Sequence, residues 1–87
     1  MTKEEVITKL KSHLSEEETD AKSYYQMAKA AKEMGEHRLS SILANIAQEE
    51  ICHRHKIKKY LGMNGITMPE DEEDEKVEFL AYQLKKL

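Results

Sequence analysis

Two stretches of this sequence carry apolar residues in a three–four alternation, and ionisable side chains break both near the middle. In the first, positions 7, 10, 14, 17, 21, 24, 28 and 31 read Ile, Leu, Leu, Glu, Ala, Tyr, Ala and Ala. In the second, positions 39, 43, 46, 50, 53, 57 and 60 read Leu, Leu, Ile, Glu, His, Ile and Tyr. Such spacing puts each set on one face of an α-helix. No Gly or Pro interrupts residues 2–34 or 36–61. Gly35 stands where a left-handed helix C-cap belongs, and Gly62 where the second helix is expected to stop. A connection this short makes the two helices antiparallel neighbours.

A third helix is expected over residues 69–87, with Pro69 in its first turn and Val77, Leu80, Leu84 and Leu87 as a docking face. The predicted fold class is therefore all-α, a single domain over residues 1–87. It consists of an antiparallel two-helix hairpin (2–34 and 36–61) plus the short C-terminal helix. The acidic run at residues 70–75 suits the positive end of a helix dipole and reads as a solvated start.

Composition narrows the classes of function. The longest uncharged runs hold ten residues, at 39–48 and 60–69, against the roughly 18 that a membrane span needs. A basic n-region followed by an apolar stretch is absent, so no signal peptide is expected. One cysteine, Cys52, excludes an intramolecular disulfide and suits a cytoplasmic location. At net charge −3, nucleic acid is an improbable partner, because phosphate contacts require a basic stripe. A chain of 87 residues builds a thin core, so a metal or a second copy is expected to help.

The interruptions indicate which. Glu17 lies 18 residues before Gly35, while Glu50 and His53 lie 15 and 18 after it. Antiparallel helices rising roughly 1.5 Å per residue bring all three to nearly one height. An unpaired buried carboxylate costs several kcal/mol, so a compensating group is needed. A buried ion pair or a register-setting polar layer is the plain explanation. Imidazole with carboxylates is also a ligand set for iron, manganese or zinc. One hairpin supplies two carboxylates and one imidazole. Two hairpins related by a two-fold axis close a four-helix bundle and double the set. A Glu from each of two helices, plus Glu-x-x-His from each of the others, is the di-iron carboxylate pattern. A homodimer, alone or within a higher oligomer, is thus expected to hold two metal ions at its interface.

Several other residues bear on such a site. Asp20, one turn from Glu17, is a candidate extra carboxylate or a solvated surface charge. Tyr24 is either a group that orients a ligand carboxylate or a core aromatic. His13 lies one turn before Glu17 but off the stripe, while His37 and His55 should face solvent. Glu49 and Arg54 read as surface residues.

At these positions the chain resembles the rubrerythrin branch of the ferritin-like superfamily, and specifically one half of that fold. The resemblance covers residues 9–57 without a gap. It includes Glu17, Tyr24, Ala28, Ala31-Lys32-Glu33, Gly35 and Glu49-Glu50-Ile51-Cys52-His53. It implies that Glu17 is the metal-binding glutamate of the first helix, that Glu50 and His53 are the Glu-x-x-His pair, and that Tyr24 acts behind the ligands. Glu18 competes with Glu17, since it has Ala21 three residues on as rubrerythrins do. The heptad selects Glu17, because position 18 is turned about 100° away.

A full rubrerythrin carries four such helices and an iron-bearing Cys-x-x-Cys module, which this sequence lacks. In being a two-helix protomer the chain is more similar to encapsulated ferritin-like proteins, whose centre forms between subunits. An obvious terminal cargo peptide is not seen. The implied activity is oxidation of Fe²⁺ by O₂ or peroxide, with two irons per dimer. Glu17, Glu50 and His53 are then both the metal ligands and the catalytic residues. A peroxidase-type reaction would need an external electron donor. The alternatives are a non-enzymatic metal-binding or storage module and a structural dimer with a buried polar layer.

Overall fold

A computed structural model describes residues 1–67 and 72–86, except the side chains of Glu17, Glu18, Glu72 and Glu73. Three helices make up the described chain: α1 (Lys3–Glu33), α2 (His37–Met63) and α3 (Glu72–Lys85). Among the described residues there is no strand. The expected start of α3 at Pro69, and Leu87 at its end, lie outside them.

Local chemistry sets the helix ends. Thr2 caps α1, its hydroxyl accepting from the Glu5 amide at 3.2 Å, and Glu4 and Glu5 face the positive dipole end. Gly35 has φ +79° and lets the Glu36 amide reach back to the Ala31 carbonyl at 2.8 Å. The second terminus departs from expectation. Helix α2 runs through Gly62 to Met63, and Gly65 is the left-handed residue instead, again at φ +79°. Ile66 amide then bonds Leu61 carbonyl at 2.9 Å, which repeats the closure made at Gly35. The preference for φ above zero acts only where the chain must reverse, three residues after Gly62.

Two hydrogen bonds fix how α1 and α2 align. Ser40, buried on α2, donates to the Ala28 carbonyl at 2.7 Å, and the Arg54 guanidinium donates to the Leu14 carbonyl. The numbers in each pair, 28 with 40 and 14 with 54, add to 68, as an antiparallel pair requires. Position 17 is therefore level with position 51, between Glu50 and His53. Small side chains line this contact. Ala28, Ala44, Ala47 and Ala81 form one buried cluster, and Ala21, Ile51 and Val77 form the next. Alanines permit close approach of the helix axes.

Helix α3 covers one side of the hairpin. Asp74, Val77 and Ala81 are buried, with Leu80 and Leu84 half-buried, so the docking stripe keeps the three–four spacing. Tyr25 packs against both clusters, which places it under α3. Lys85 holds the far end, its ammonium donating to Asn45 Oδ1 at 2.7 Å and to Gln48 Oε1.

Two expectations about charge are corrected here. Arg54 is not a surface residue but 3% exposed, and Asp74, inside the acidic run, is equally buried. Arg54 Nε donates to Asp74 Oδ2 at 2.7 Å, and Lys58 Nζ stands 4.0 Å from the same oxygen. Burial is tolerable because the guanidinium fork satisfies a carboxylate and a backbone carbonyl together. One charged residue thereby ties all three helices at a single level.

Candidate metal centre

Helix α2 has two distinct apolar faces. Ser40, Ala44, Ala47, Ile51, Arg54 and Leu61 are buried against α1 and α3. Beside that stripe run Leu39, Leu43, Ile46, Glu50, His53, Ile57 and Tyr60. This is the row expected to form the seam, and in the single chain it is a flank. Leu43, Ile46, Glu50 and Ile57 are half-buried, while Leu39, His53 and Tyr60 are exposed. The physical reason is size: α1 approaches along the row of small residues and leaves the larger ones at its edge.

Helix α1 behaves as its stripe predicts. Leu14, Ala21, Ala28 and Ala31 are buried, and Ile7, Leu10 and Tyr24 are half-buried. Position 17 belongs to the same helical face, but its side chain lies outside the described residues. The competing position, Glu18, is in the same case.

The candidate residues are thus distributed as follows. Glu50 and His53 stand one turn apart on the open flank of α2. Among the described residues neither has a hydrogen-bond or ion-pair partner. Backbone register sets residue 17 within about one to two residues of their height, roughly 1.5–3 Å along the axis. Tyr24 packs beside the alanine cluster two turns further along α1, and Asp20 is exposed. His13 is exposed, with its Nδ1 3.6 Å from Glu16 Oε2. His37, Glu49 and His55 face solvent, as does the free thiol of Cys52.

Within one chain the described residues close no site, because no three His, Cys, Asp or Glu side chains converge. The two described donors, one carboxylate and one imidazole, are of the kinds that iron, manganese or zinc accept. A carboxylate and an imidazole on an open helix flank leave further coordination positions for groups from elsewhere.

The surroundings of that flank are apolar. Ile42 is 50% exposed, Leu39 45%, Met27 44% and Tyr60 42%. Helix α3 reaches Asn45 and Gln48 on the other side of α2, so it does not cover this row. Large apolar side chains around two polar ones are what a self-complementary interface offers.

Arg54 and Asp74 are the residues that the sequence pattern alone did not single out. A signal existed: positions 40, 44, 47, 51, 54, 58 and 61 form a second three–four row on α2. A charged residue within it is overlooked when the row of larger apolar residues is taken as the core. Among the described residues, no helix is long and apolar enough to cross a membrane. Compared with known proteins, the chain matches no family model, no curated protein and no solved structure at a significant level.

Proposed function

We propose that two copies of this chain pair about a two-fold axis through the α1–α2 flank opposite α3, closing a ferritin-like four-helix bundle. Glu17, Glu50 and His53 of each copy then surround two iron ions, and the assembly oxidises Fe²⁺ with O₂ or peroxide. The position of α3 is the observation that carries this: it covers one side of the hairpin and leaves the Glu50–His53 row open. Register adds support, since position 17 of α1 is level with that pair. So does shape. The Cα trace measures 48 × 22 × 13 Å, a slab too thin to bury both sides of its helices by itself.

In such a dimer each residue has a defined task. Glu17, Glu50 and His53 supply oxygen and nitrogen donors, and the two-fold axis doubles them. Leu43, Ile46 and Ile57 lose their remaining exposure and exclude water from the polar layer. The Tyr24 hydroxyl would orient a ligand carboxylate. Asp20, exposed one turn from Glu17, offers an entering cation a first carboxylate. When bound, iron supplies the one-electron chemistry toward O₂ or peroxide. A peroxidase-type cycle would take its electrons from a separate donor, because the sequence has a single cysteine and no Cys-x-x-Cys module.

Anaerobic Fe²⁺ titration followed by exposure to O₂ is the test. About two irons per dimer and a rapid rise in ferric absorbance are expected, and Glu50→Ala should abolish both. Binding without accelerated oxidation points to a metal-binding or storage module, and manganese or zinc titrated in parallel identifies the preferred ion. No binding, with an unchanged melting temperature, leaves a structural dimer.

A further inference from the structure

We infer that Arg54 and Asp74 are positioning residues for the metal centre proposed above, so that docking of α3 sets the geometry of a site that α3 does not touch. This rests on the metal-binding proposal and on an independent observation, the buried three-helix junction. Arg54 is adjacent to His53 in sequence and one turn beyond Glu50. Its guanidinium donates to the Leu14 carbonyl, one turn before Glu17, and at 2.7 Å to Asp74 of α3. The junction therefore lies at the height of the three proposed ligands, on the neighbouring face of the same helix turns.

Helices are stiff over one turn, so a bond that fixes Arg54 against α1 also fixes the adjacent His53 and Glu50 against position 17. Asp74 adds to the constraint, because its carboxylate holds the guanidinium that also donates to the Leu14 carbonyl. Lysine at position 54 would keep the charge but lose the fork. Groups behind metal ligands typically change affinity by about 10–100-fold when altered. Binding couplings are reciprocal, so a metal at the flank should in turn strengthen α3 docking.

The experiment uses Co²⁺ as probe on the full chain, reading affinity and the ligand-field absorption spectrum. The wild type is compared with Asp74→Asn, Arg54→Lys and Lys85→Ala. The last loosens the far end of α3 without touching the junction. Expected for Asp74→Asn and Arg54→Lys is at least tenfold weaker binding and an altered spectrum, with helix content and dimer mass retained. Lys85→Ala should keep the wild-type spectrum. If Asp74→Asn does not fold, Arg54→Lys carries the comparison. Wild-type affinity and spectrum in the junction variants, or losses matched by Lys85→Ala, overturn the inference and leave the metal site standing. A wild type that binds no Co²⁺ or Fe²⁺ overturns the metal site and the inference together.

Discussion

Replacing Asp74 by alanine should be among the most damaging single changes outside the alanine clusters. The Arg54 and Asp74 side chains are 4% and 5% exposed, so solvent does not screen their interaction as it would at the surface. Removing Asp74 breaks a buried charge-assisted pair, and breaking such a pair costs about 3–5 kcal/mol. A chain of 87 residues has a total stability of about 4–13 kcal/mol at 0.05–0.15 kcal/mol per residue. The single change therefore removes a large fraction of it. At about 4–8 °C per kcal/mol for a domain this size, the melting temperature should fall by more than about 12 °C. Converting both residues to apolar ones of similar volume, Arg54→Met with Asp74→Leu, should recover most of the loss. Urea unfolding at one fixed protein concentration of the wild type, Arg54→Met, Asp74→Leu and the double variant reads the coupling directly. A loss under about 1 kcal/mol for Asp74→Ala would show that the pair behaves as a solvated surface contact, and the three-helix junction would have to be abandoned.

Three further outcomes are expected. Gly62→Ala should stabilise the chain by about 0.5–1 kcal/mol, because the site is helical and an added Cβ meets nothing within 4 Å. Gly65→Ala should destabilise it by about 1–2 kcal/mol, since φ there is +79°; thermal melts of the two variants should move in opposite directions. Ile46→Lys, on the open flank, should leave the helix content of each chain intact while sedimentation shows a monomer. A dimer that survives this change would place the interface elsewhere.

What the residues reveal by pattern alone differs from helix to helix. The row of α1 is both the longest apolar row of that helix and its buried face, so periodicity and packing coincide at Leu14, Ala21 and Ala28. On α2 they separate. Its large apolar residues draw attention to the row through Leu43, Ile46 and Ile57, while close packing uses the row through Ser40, Ala44 and Ala47. Periodicity weighs apolar size; helix approach rewards smallness. Gly62 and Gly65 show a similar limit, because either could end a helix and only the path of the chain decides between them. Asp74 is hidden for another reason. It sits in a run of like charges at residues 70–75, a pattern that by itself suits solvent, and only the arrival of Arg54 from another helix makes its burial tolerable. The matching depth of Glu17 with Glu50 and His53, by contrast, needs nothing beyond residue counting from Gly35. The two cross-helix hydrogen bonds put the backbone in that register.

The most direct measurement is the native mass of the protein loaded anaerobically with Fe²⁺. The expected species is a dimer of the 10.1 kDa chain carrying two iron ions, with the Glu50→Ala variant a dimer free of iron. A wild-type monomer, or a dimer that retains no iron, would contradict the shared centre.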